Sequence, residues 1–194
     1  DFVRKDKEKK VKSMDYLFIT DITVEDDTIE FLNNSIYKDS YYIIDHHDTK
    51  KEIHNGENIF IITHDEDGKP NSGTNLFMEF LEHKFDVEFN MVTKSFVDMV
   101  RCWDTWLWKE YDMIIPLQLN ILCMNINYIE FVKSMIPKLE DGKSFSFFTN
   151  EEQKIVDGII ETMHRYYESM KAYKFKNENP NTPNTCLLYT SDAA

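Results

Sequence analysis

The sequence predicts an α/β fold, a largely parallel sheet flanked by helices, on three observations. Short β-branched and apolar runs occur without polar alternation, helical-period stripes lie between and after them, and acidic or histidine residues stand where the runs stop. A strand covered on both faces reads as continuously hydrophobic because neither side meets water. Strands of that kind alternating with helices build parallel sheets.

The first such run is Tyr16 to Thr20, "YLFIT", predicted as a strand buried on both faces and closed by Asp21. Val24 to Asn33 carries Ile29, Phe31 and Leu32 among acids and reads as a short helix. Tyr41 to Ile44 is a second buried strand, and it runs directly into Asp45-His46-His47. Ile59 to Thr63, "IFIIT", is a third, followed by a turn-rich loop from His64 to Pro70.

Ser72-Gly73-Thr74 opens a helix with Leu76, Phe77, Phe80 and Leu81 on one face. Phe96, Val97, Val100 and Trp103 repeat that spacing in a segment ending at Asp104, and Ile129 to Lys138 predicts a further short helix. Thr149 followed by Glu152 has the form of a capping box, and Ile155, Ile159, Met163, Tyr166 and Met170 continue at helical spacing, predicting one long helix from Asn150 to Lys174. The expected organisation is an α/β domain over 1–149, a connector helix over 150–176, and a linker with a non-native tail over 177–194. The closing "CLLYTSDAA" resembles read-through of a sequencing adapter and is set aside from the fold.

With 194 residues, 42% hydrophobic and 14% aromatic, the chain can bury the core of one domain or one domain plus an extension. No run of about 18 apolar residues and no signal-like N-terminus is present, so a soluble, cytoplasmic protein is expected, without membrane contact. Cys102, Cys123 and Cys186 have neither paired nor Cys-x-x-Cys spacing and read as reduced thiols. A net charge of −13 argues against a groove for duplex nucleic acid, because polyanion binding needs Lys and Arg to neutralise phosphates. Any nucleotide partner should be short. Arg4 to Lys12, "RKDKEKKVK", is the one basic stretch and reads as a solvated face or linker.

In a parallel sheet the ligand crevice lies beyond the carboxyl ends of the strands, so Asp21 and Asp45-His46-His47 should converge on one rim. Imidazole and carboxylates without a thiolate suit Mn²⁺ or Mg²⁺ rather than structural zinc. Two such ions can activate a water and stabilise both the attacking and leaving oxygens of a phosphodiester. Taken alone, the triplet has a plainer reading: Asp45 as a turn cap and the histidines as surface residues. His54, His64, His83 and His164 lack comparable context and read as surface or packing residues.

Strand-Asp21, strand-Asp45-His46-His47, Ser72-Gly73-Thr74 and Asp104-Thr105 occur in the order and approximate spacing of the DHH phosphoesterases. Over Tyr16 to Lys174 the chain resembles that family, and within it the oligoribonuclease (nanoRNase) branch. The resemblance implies a DHH-type domain and a phosphodiesterase that degrades short single-stranded RNA to nucleoside monophosphates with two Mn²⁺ ions, Mg²⁺ being a possible substitute. It implies that Asp21 is a metal ligand shared by both ions, that His46 ligates one, and that Asp104 completes its shell. His47 would face the scissile phosphate, Asp45 would orient the histidines, and Ser72 and Thr74 would give supporting contacts. Asp98, six residues earlier, is read as solvent-facing. Trp103, Trp106 and Trp108 could stack a base, with packing the expected role for at least two of them.

Two departures stand beside the matches. The family's first Asp-x-Asp motif has no counterpart before Tyr16, where Asp1, Asp6 and Asp15 lack the spacing, and no Gly-rich, His-containing second domain follows. Both read as a chain truncated at each end, missing its N-terminal strand and weak or inactive by itself. The alternatives are a small-nucleotide phosphoesterase of the same family, acting on a cyclic dinucleotide or on 3′-phosphoadenosine 5′-phosphate, and a non-catalytic metal- or nucleotide-binding module. The oligomeric state is open.

Overall fold

The computed structural model describes residues 15–48, 57–143 and 146–176, with side chains as far as 170. The basic stretch Arg4 to Lys12, His54, Cys186 and the 177–194 tail lie outside the described residues. In chain order the elements are β1 (Leu17–Thr20), α1 (Asp26–Asn33), β2 (Tyr41–Asp45), β3 (Ile59–Ile61), α2 (Gly73–Phe85), α3 (Met91–Asp104), α4 (Leu107–Glu110), α5 (Ile114–Ile126), α6 (Tyr128–Asp141) and α7 (Asn150–Lys176).

The three strands form one parallel sheet in the order β1-β2-β3, with Ile19 beside Ile43 and Ile43 beside Ile59. Side chains alternate across a strand, so β2 contributes to two cores. Tyr41 and Ile43 pack with Ile29, Leu32 and Tyr37 from α1 and its exit, joined by Ile59 and Ile61. Tyr42 and Ile44 face Leu76 of α2, with Phe18, Phe60, Phe77, Phe80 and Phe85 closing around them. Phe80 lies 4.8 Å from Tyr42 and 5.3 Å from Phe60 between ring centroids, within the range of favourable aromatic pairs. Helices therefore cover both faces of β2, and all five of its residues are buried.

Two strands differ from the sequence expectation. β1 is only half-buried along its length, because among the described residues it is an edge strand. A continuous apolar run does not reveal whether a neighbour lies on each side. β3 stops at Ile61 rather than Thr63. Beyond it the chain pairs differently: the Ile62 N–H donates to the carbonyl of Asp45, the Asn71 N–H to that of Thr63, and His64 bridges Pro70.

α2 starts at a buried Ser72 whose hydroxyl accepts from the Asn75 N–H, while the Asn75 side chain accepts from the Ser72 N–H at 2.6 Å. α3 starts at Asn90, capped through the Thr93 N–H, and α6 at Asn127, capped through Glu130. α6 extends the predicted helix at both ends, to Tyr128 and Asp141. α5 is absent from the sequence reading: "IIPLQLNILCMNI" is apolar nearly all round, so it carries no stripe. The chain divides into two compact units, Asp1–Phe147 and Phe148–Ala194. In the second, the Thr149 N–H donates to Glu152 and the Glu152 N–H to the Thr149 hydroxyl, the reciprocal box the sequence predicts for α7. No described helix is long and apolar enough to cross a membrane.

Candidate functional site

The sheet ends in a polar cluster. β2 buries Asp45, with 1% of its surface exposed, and a buried carboxylate must find donors. Its Oδ1 accepts from the His46 N–H at 2.9 Å and lies 2.7 Å from His47 Nδ1. The His47 N–H also reaches it at 3.4 Å, and Oδ2 receives the Thr23 hydroxyl at 3.4 Å. Asp45 thus fixes the backbone where the strand stops and turns Nδ1 of His47 inward, leaving Nε2 as the imidazole's other nitrogen. The hydrogen bond that His47 donates to Asp45 is also the main reason the His47 pKa rises above its ordinary 6.5. Partial burial opposes it, and the charges of Asp45, Asp21 and Asp104 reinforce it.

His46 belongs to a second set. Its Nε2 lies 3.0 Å from Oδ1 of Asp21 and 3.2 Å from Oδ2 of Asp104. These three side chains arrive from three elements. Asp21 follows β1, tied to the sheet by its N–H to the Ile44 carbonyl, and turns into the left-handed region at φ 60°. Asp104 is the last residue of α3, where the Thr105 hydroxyl donates to the Arg101 carbonyl and closes the helix. The negative end of that helix adds to the field of its own carboxylate. Desolvation is the largest cause raising the Asp104 pKa above 3.8; the neighbouring Asp21 charge raises it further while both imidazoles oppose.

The donor atoms of Asp21, Asp45, His46 and His47 all lie within 4.8 Å of one another. Among the described residues, every ion pair made by Asp21, Asp45 and Asp104 is with an imidazole. Carboxylates crowded around histidine, with no Lys, Arg or thiolate of the described residues among them, form a donor set that fits a hard or borderline divalent cation. The shared position is at Nε2 of His46, where a single proton must otherwise serve two carboxylates.

The remaining candidates divide. Ser72 is buried and engaged in capping α2, whereas Thr74 is exposed. Asp98 is exposed on α3, and His64, His83 and His164 are exposed as well. Trp103 and Trp108 are half-buried and stacked on each other at 5.2 Å, while Trp106 is half-exposed in a left-handed conformation with Lys109 Nζ 3.9 Å from its ring. Sequence reasoning gave no role to Gly73, yet a Cβ built there would stand 2.5 Å from Cβ of Asp21. It also missed Arg101. That guanidinium donates from Nε to the Pro70 carbonyl and from Nη2 to Asp65, each at 2.8 Å, and to the Lys69 carbonyl at 3.2 Å. Neither signal is local: Arg101 and Asp65 are 36 positions apart.

Comparison with known proteins follows the same lines. Over 167 residues, 86% of its length, the chain is 31% identical to oligoribonuclease NrnB of Bacillus subtilis, and it covers 42% of that protein. No family model and no solved structure matches it.

Proposed function

We propose that this chain is a DHH phosphoesterase of the oligoribonuclease kind and that its rim holds a divalent cation, Mn²⁺ or Mg²⁺, through Asp21, His46 and Asp104. The protein of which it forms at least part then hydrolyses short single-stranded RNA to nucleoside monophosphates, in the cytoplasm. The observation that carries this reading is the position of His46 Nε2 between two carboxylate oxygens, at 3.0 and 3.2 Å. When bound, the cation would acidify a water and draw charge from a phosphate oxygen.

The chain's own residues do the rest. Asp45 holds His47 by Nδ1, so that Nε2 is the nitrogen available to hydrogen-bond a phosphate oxygen or donate a proton to a leaving oxygen. Asp45 is poorly placed to ligate, since its Oδ1 already serves His46 and His47. A net charge of −13 disfavours long polyanions and leaves the cation as the attraction for a small nucleotide. Ser72 supports the site by fixing the start of α2 beside Asp21, and no contact by exposed Thr74 is needed.

A non-catalytic binding module is the second reading. Among the described residues, one carboxylate-imidazole set surrounds His46, enough for one ion, whereas the two-ion reaction needs further donors. Mn²⁺ titration followed by electron paramagnetic resonance, paired with hydrolysis of RNA of about two to five nucleotides, separates the readings. Binding of Mn²⁺ that His46→Ala and Asp104→Asn abolish, with nucleoside monophosphate release by the complete protein, is the expected result. Binding without release favours the module. Binding unchanged in both variants rejects the site.

A further inference from the structure

We infer that Gly73 is the positioning residue for Asp21, and that it does so by having no side chain. This rests on the reading of Asp21 as a cation ligand, but the geometry is independent of it. Gly73 is the first residue of α2 and is buried. A Cβ there would meet Cβ of Asp21 at 2.5 Å, and its Cγ and Oδ1 at 2.8 Å. All three approaches are closer than non-bonded carbon and oxygen tolerate. The atom in closest conflict is the Cβ of Asp21, which moves only with its backbone.

That backbone is held on one side by the hydrogen bond from Asp21 N–H to Ile44 and by a left-handed φ of 60°. On the other side, α2 is held by the Ser72 and Asn75 box and by the Asn75 amide, which donates to Asn71 at 3.0 Å and to Glu79 at 3.3 Å. A methyl group at position 73 must displace one side or the other. The turn at Asp21, held through the Ile44 hydrogen bond, has fewer anchors than the buried start of α2, so it yields, and the 3.0 Å approach of its carboxylate to His46 is lost. Alanine is otherwise the better helix former, so the helix itself gives no reason for glycine.

The test is Gly73→Ala in the whole chain, alone and combined with Asp21→Gly. Mn²⁺ affinity read by electron paramagnetic resonance is expected to fall at least tenfold in Gly73→Ala. It should stay unchanged in Gly158→Ala, where an added methyl meets nothing within 4 Å. Thermal midpoints give the second readout: Gly73→Ala lowers the midpoint in the parent, but not in the Asp21→Gly background, where the conflicting Cβ is gone. A drop of equal size in both backgrounds, or wild-type midpoint and Mn²⁺ affinity in Gly73→Ala, overturns the inference. Asp21→Asn tests the cation reading separately. If it binds Mn²⁺ normally that reading fails, and the midpoints still decide whether Gly73 and Asp21 are coupled.

Discussion

Two polar clusters lie beyond neighbouring strands, and they handle charge in opposite ways. After β3, the Asp65 carboxylate meets a permanent cation, and Arg101 also donates to the carbonyls of Pro70 and Lys69. After β1 and β2, among the described residues, Asp21 and Asp104 form ion pairs only with His46, and Asp45 only with His47. The first cluster is complete without any addition, while the second has more negative charge than its imidazoles can balance. Such a contrast separates a polar group that fastens a loop from one that, on the proposed reading, receives a cation.

The second cluster is the more sensitive of the two to neutralisation. Asp21→Asn combined with Asp104→Asn is expected to weaken Mn²⁺ binding by more than about 100-fold, beyond what losing a merely supporting partner costs. Paramagnetic titration measures it, and retention of affinity would place the cation elsewhere. Removing the cation from the first cluster acts on stability instead. Arg101→Met leaves the Asp65 carboxylate and the Pro70 and Lys69 carbonyls without this donor and should lower the urea midpoint, with a smaller loss of Mn²⁺ affinity because Arg101 anchors the helix that ends at Asp104.

Acid and base sharpen the difference further. The Asp65 pKa is lowered, first by its hydrogen bond from Arg101, so its contribution is present above its unfolded value near 3.8 and is lost as pH falls through the depressed folded value. Asp104 and His47 are both raised. In metal-free protein their contributions are therefore present below 3.8 and 6.5 respectively, and are lost as pH rises through the folded values. Unfolding followed across pH should show Arg101→Met reducing acid sensitivity and Asp45→Asn removing part of the loss above pH 6.5. Matching profiles in parent and variants would refute the assignment of these slopes.

The smallest effects lie within Ser72-Gly73-Thr74. Ser72→Ala removes a buried cap and should cost about 1 kcal/mol, whereas Thr74→Ala, at an exposed position, should stay within about 0.5 kcal/mol. Urea midpoints distinguish them, and equal costs would mean that the capping box is not what holds the start of α2.

Much of this is visible in the residues because it is local. Tyr41 to Ile44 reads as a buried strand from its composition, and Asp21 and Asp45-His46-His47 stand out because polar residues abruptly follow apolar runs. Thr149 and Glu152 satisfy each other within one turn, so their spacing suffices. What escaped depends on distant neighbours or on lack of contrast. The half-burial of β1 reflects its place at an edge, α5 has too few polar residues to mark a face, and the Arg101 clamp joins α3 to the loop after β3. Gly73 escaped for a different reason. An absent side chain carries no chemical signal until its neighbour is known.

The left-handed turn at Asp21 restricts which amino acids the position can accept. Asparagine, aspartate and glycine tolerate that backbone most readily, and of these only aspartate carries a charge. Glutamate would keep the charge but is no longer favoured by the backbone. Conformation and chemistry each allow several amino acids, and at Asp21 their overlap is a single letter.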